Sequence, residues 1–224
     1  MGGETLTRAV SLALSAFLVF AVWGLHWSAG QLLVCIWMQM VALWLTVGLI
    51  GLALAARAGW VWLLVTLPLA GIVLFVTGEF IQLFGMFAWG AWGQEHGITV
   101  RLKSFNLYPG MVGWLVRIPE VLPVWQAVVL VGAEAAFAVL AVRASLHDPL
   151  GAFSRLLDAF SRKVFVNHMA AMLGAGLAIV MSGSRALLLA ILLLAAMLDV
   201  VALRRALRAK PRARPAPRPG DAGE

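Results

Sequence analysis

The sequence predicts an all-α fold, a polytopic bundle of about six transmembrane helices, and three observations carry that expectation. Apolar residues make up 62% of the 224-residue chain and charged residues only 12%, whereas a soluble domain is nearer half apolar and a quarter charged. The apolar residues gather into long runs. A hydrocarbon core of ~30 Å takes about 20 helical residues, which these runs supply. Finally, Arg162 to Arg205 holds two such runs around the short turn Ser182-Gly183-Ser184-Arg185, the pattern of a transmembrane hairpin.

Taken in order, the predicted spans cover residues 7–25, 31–56, 64–92, 122–142, 164–182 and 186–203, within a membrane domain of residues 1–208. The first is a retained span and not a cleaved leader: Glu4 offsets Arg8, and Ser28-Ala29-Gly30 is a poor cleavage site. Arg57-Ala58-Gly59 closes the second. The third apolar stretch, Trp60 to Trp92, exceeds what a perpendicular helix needs, so Pro68 is expected to bend it or to end an interfacial first turn. Residues 93–123 are less apolar, with Trp, Leu and Val among the charges, and read as a segment on the outer surface. His147-Asp148-Pro149 starts a helix by cap and first-turn preference. Leu150, Phe153, Leu157, Phe160 and Val164 then recur at steps of three or four, opposite Arg155, Asp158 and Arg162. That is an amphipathic interfacial helix leading into the fifth span. Residues 209–224 form a basic, Pro-rich tail expected to be disordered.

Charge orients the bundle. With the N-terminus inside, thirteen basic residues fall on inner segments and four on outer ones. Basic residues favour the cytoplasmic side, so both termini are expected in the cytoplasm of a cell inner membrane. The net charge of +7 resides mainly near the C-terminus. There Arg204, Arg205, Arg208, Lys210, Arg212 and Arg214 are expected to be drawn to anionic lipid. The partners implied are membrane lipids and other integral membrane subunits, with no nucleic acid.

Ionisable groups inside the spans are few, and each needs a partner. His168 and Asp199 lie about 15 and 16 residues either side of Gly183, hence both ~23 Å from the turn at 1.5 Å per residue. They are expected to face each other as a structural polar pair. Glu79 and Glu134 are the intramembrane carboxylate candidates, and Gln82 shares a helix face with Glu79. Each carboxyl is either neutral and hydrogen-bonded, to Gln82, Gln39, Gln126 or a backbone carbonyl, or a proton carrier if water reaches it. Neither has an obvious basic partner, because Lys103, Lys163 and Lys210 all fall outside the predicted spans.

Other chemistries find little support. The single cysteine, Cys35, allows no intrachain disulfide. His26 and His96 sit at outer ends while His147 and His168 sit toward the inner side, a poor arrangement for bis-His haem. An outer group of His26, Glu95 and His96 lacks metal-ligand spacing, so no metal is predicted. No catalytic constellation and no cofactor are predicted, with haem or pigment at helix interfaces left open, and ten Trp and eleven Phe are available for lipid or partner surfaces.

Several short motifs resemble an uncharacterised multi-pass membrane family, domain of unknown function 6498. Trp27-Ser28-Ala29-Gly30-Gln31-Leu32-Leu33 through Ile36-Trp37-Met38-Gln39 is similar to its W-S-x-x-E-L-L…Y-W-x-E stretch, with Ile36 for Tyr and Gln39 for Glu. Gly78, Phe80, Gly85 and Phe87 match its H-Y-G-x-F-x-x-x-H-G-x-F helix, but Val76 and Phe84 replace both histidines. Lys163 to His168 and Asp199 resemble its last hairpin. The family brings no assigned activity. The lost histidines and glutamate imply a divergent member retained for packing or assembly.

The expected function is therefore a non-enzymatic accessory or scaffold subunit packing with membrane proteins, lipids or pigments. The alternative is a small proton- or ion-coupled transporter using Glu79 and Glu134, although no inverted repeat is evident. A weaker alternative is a haem- or quinone-binding redox subunit.

Overall fold

Ser28 begins the helix on which the others assemble. Its Oγ accepts from Gln31 N at 3.1 Å, and its own N–H donates to Gln31 Oε1 at 3.0 Å, a reciprocal cap that satisfies two otherwise orphaned donors. The computed structural model describes residues 3–98, 113–143, 148–163 and 185–208, together with 173 and 177. Its described helices are α1 (Gly3–Trp23), α2 (Ala29–Ala58), α3 (Trp60–Glu95), α4 (Ile118–Val121), α5 (Val124–Arg143), α6 (Pro149–Arg162) and α7 (Arg185–Arg208). Three are long and apolar enough to cross a membrane, over Thr5–Trp23, Ala29–Ala58 and Val124–Arg143. The predicted fifth span, 164–182, lies outside the described residues apart from positions 173 and 177.

α2 is the central element. It is apolar all round, and from Leu32 to Trp44 every residue is buried. A helix of that kind belongs in a core. It packs on α3, α5 and α6, while α1 packs on α5 and α7. Gly59, with φ 104°, turns the chain from α2 into α3 through a conformation that glycine adopts without steric cost. α3 then runs 36 residues, about 54 Å. It passes through Pro68 without ending there, where the sequence predicted a bend or a boundary. Continuing the helix keeps the remaining backbone groups of an apolar run paired.

α2 and α3 form a hairpin whose register is set by glycines. Trp37 and Trp44, seven residues apart on α2, lie over Gly85 and Gly78, seven apart on α3. A Cβ at Gly85 would meet the Trp37 indole and would lie 2.9 Å from Trp114 Cζ3; one at Gly78 would lie 3.3 Å from Trp44 Cζ2. Trp44 Nε1 donates to Thr77 Oγ1 at 3.1 Å. These two glycines are the ones the motif comparison singled out, and the structure gives them a packing role.

The expected outer surface segment is partly described. Ile118, Val121 and Leu122, in and after α4, are buried, and Trp114 meets Trp37 edge-on with centroids 5.8 Å apart. Trp37 also meets Trp89, which meets Trp92, both edge-on. The Arg117 guanidinium lies 5.8 Å from the Trp89 ring centroid and pairs with Glu120 at 2.7 Å. The segment thus caps an aromatic cluster.

α6 is amphipathic as expected, but its apolar stripe packs on protein. Ala152, Leu156 and Phe160 are buried, and Phe153 lies over Gly51 of α2. The contacts of Lys163, just past α6, are with the middle of α5. The helix therefore climbs along α2 and α5.

Candidate functional site: a buried charge pair on the central helices

Glu134 stands at the midpoint of α5, on the stripe Gln126, Leu130, Glu134 and Ala138 that the fold buries. Steps of four keep these residues on one helix face. Its carboxylate is 0% exposed. Lys163, 6% exposed, brings Nζ to 2.6 Å from Glu134 Oε2. The charges touch, but the approach does not give either Glu134 oxygen a hydrogen bond of good angle. Phe137, one turn from Glu134, offers its ring face to the ammonium at 4.1 Å from the centroid. That cation–π contact is favoured where water is excluded.

This corrects the expectation that Glu134 has no basic partner. Lysine carries its charge on a long stem, and the tilt of α6 carries Lys163 from outside the predicted spans to the centre of α5. The sequence signal available was a lysine set directly after an amphipathic helix and before the next apolar run.

Further polar groups lie near the pair. Cys35 of α2 is buried, on a helix that packs against α5. Gln39 follows one turn later and Gln31 precedes by one turn. Gln31 Nε2 donates to the Val121 carbonyl at 3.2 Å. Gln39 Nε2 and Gln126 Oε1 are buried with no hydrogen-bond partner among the described residues. Buried amides are rarely left so, which marks this seam as unlike ordinary core.

The other predicted site residues fall elsewhere. Glu79 is half-buried on α3 and Gln82 is buried there, its Oε1 without a partner among the described residues. α3 packs chiefly on α2 and α5 on the same helix, so Glu79 and Glu134 are not brought together. Asp199 of α7 is buried and accepts from Ser15 Oγ at 2.6 Å and Ser11 Oγ at 3.3 Å. The sequence reading missed these serines, whose i, i+4 spacing in an apolar helix was the available signal. His168, the expected partner of Asp199, lies outside the described residues. Arg204 and Arg205 are exposed at the end of α7, which continues to Arg208; Lys210, Arg212 and Arg214 are outside the described residues.

At the start of α2, Glu95 of α3 accepts from Gly30 N at 3.0 Å and Ser28 Oγ at 2.5 Å. A carboxylate there complements the positive end of α2. A Cβ at Gly30 would lie 2.6 Å from Trp92 Cα, so glycine permits the approach. His96 stacks on Trp92, with Nδ1 2.8 Å from the Trp92 carbonyl. Among the described residues no three His, Cys, Asp or Glu side chains converge as metal ligands. No protein-family model, curated protein or solved structure matches the chain.

Proposed function

We propose that this chain is an integral membrane protein of about six spans, with both termini cytoplasmic, that couples movement of a proton or small ion to the Glu134–Lys163 pair. The supporting observation is that pair itself: two charges touching at 2.6 Å in the middle of an apolar helix. Ionisable groups within membrane spans are costly and mark ion paths and relays by default. A buried pair is a weak stabiliser compared with apolar packing of the same volume. Gln39 of α2 and Gln126 of α5 keep hydrogen-bonding groups without a partner among the described residues, which suits a path that water or an ion visits better than a sealed lock.

The test is flux in vesicles reconstituted with purified full-length protein. Ion movement above that of protein-free vesicles, lost in Glu134→Gln and Lys163→Gln, is the expected result. A folded protein with no flux under any imposed ion gradient would sink this reading. An accessory or scaffold subunit is the second reading. It is favoured by exposed Phe20, Trp23, Phe75, Phe87 and Trp125, large surfaces that lipid or another subunit can cover. Stable co-purification with another membrane protein in mild detergent, without flux, would establish it.

A further inference from the structure

We propose that the ion handled at Glu134 is a proton, and that it reaches the pair along a polar seam between α2 and α5. The inference rests on the reading just given and narrows it.

The ligand set decides the ion. The Lys163 ammonium occupies the Glu134 carboxylate at 2.6 Å. A sodium or potassium ion approaching that carboxylate meets a like charge at contact. A proton needs no coordination shell. It binds one Glu134 oxygen, forming an O–H bond, and the carboxylate becomes neutral. The Lys163 ammonium keeps its charge, and the site gains one unit of positive charge until the proton leaves for water. The Phe137 ring, 4.1 Å from Nζ, holds the ammonium in place while Glu134 is neutral. The proton itself comes from the aqueous phase.

The seam follows from helix direction. The Gln31 side chain near the start of α2 bonds the Val121 carbonyl just before α5, so the two helices run the same way from the outer end. Gln31, Cys35 and Gln39 are spaced by four on α2; Gln126 and Glu134 are spaced by eight on α5. Cys35, Gln39, Gln126 and Glu134 are buried and Gln31 is half-buried, and α2 packs on α5. Gln39, 3% exposed, and Gln126, 4% exposed, carry polar atoms without a partner among the described residues. Each can hydrogen-bond water and pass a proton onward through it. Among the described residues the ionisable group touching Glu134 is Lys163, and the ionisable group on the buried face of α2 is Cys35. α1, also packed on α5, has none between Arg8 and Trp23; the Arg117–Glu120 pair beside α5 is closed on itself at the outer surface.

The test uses full-length protein in vesicles enclosing a pH-sensitive dye, under an imposed pH gradient or an imposed sodium or potassium gradient. Expected are proton flux, its fall to the protein-free rate in Glu134→Gln, and a several-fold fall in Gln39→Leu with Gln126→Leu, partly restored by Asn at both positions. A protonated-carboxyl infrared band that appears on acidification of the protein and is missing in Glu134→Gln gives a readout independent of flux. Glu134-dependent sodium or potassium flux without proton flux would overturn the proton assignment while leaving ion coupling intact. Unchanged proton flux in folded Gln39→Leu with Gln126→Leu would overturn the seam. Absence of any flux would overturn both this inference and the function it rests on.

Discussion

Replacing Lys163 by leucine should destabilise the protein more than almost any other single change. Lys163 and Glu134 are 6% and 0% exposed and touch at 2.6 Å, so removing Lys163 takes the counter-charge from a carboxylate held where water is scarce. Breaking a buried pair in this way costs about 3–5 kcal/mol. Losing the ammonium over Phe137 is part of that sum and is not added to it. Domain stabilities are about 5–15 kcal/mol, so a large share is at stake. At roughly 2–4 °C per kcal/mol for a chain of this size, the midpoint should fall by about 6–20 °C. Glu134→Leu should cost a similar amount. The double variant should recover most of the loss, because an apolar pair of similar volume leaves no orphan charge. Cys35 supplies the assay: it is the only cysteine and is buried, so a thiol-reactive dye reports unfolding in detergent. Single variants as stable as the parent, or strictly additive losses in the double variant, would refute the contact.

Three further outcomes follow from the geometry. Asp199→Leu removes the acceptor that the Ser11 and Ser15 hydroxyls share and should cost about 1–3 kcal/mol, with Asp199→Asn milder; equal thermal midpoints for the two would show that the serines do not depend on it. Gly85→Ala drives a methyl group against Trp37 and Trp114 and should cost about 1–3 kcal/mol, measured by the same thiol assay; a neutral effect would mean that the helix pair is not in close contact there. The hydrogen bond from Arg117 holds the Glu120 carboxyl below its usual range, outweighing the small opposing effect of burial. Because the folded-state value is depressed, the stabilising contribution is complete above the ordinary carboxylate range and is lost as pH falls through the folded value. Trp89 fluorescence should therefore change only on acidification, and Glu120→Gln should remove the transition; a response centred near neutral pH would count against this pairing.

Much of the helical layout was legible before any coordinates. Ser28 with Gln31 forms a cap by local chemistry alone, and the apolar runs at 7–25, 31–56 and 122–142 fall on helices of matching extent, because backbone pairing in an apolar medium leaves few choices. The amphipathic period of 149–162 likewise fixed a helix. What periodicity could not give was depth and tilt. Lys163 lay outside every predicted span, yet its stem and the slope of α6 take it to mid-α5.

The sequence by itself determined which segments are helical and which few polar groups need partners, since hydropathy, capping and period act over a turn or two of chain. Only the tertiary structure decided which partners meet: Glu134 with Lys163, Asp199 with Ser11 and Ser15, and Trp37 with Gly85. Such meetings depend on how helices cross, and crossing is set by side-chain volumes on two elements at once. No local stretch of sequence encodes that sum.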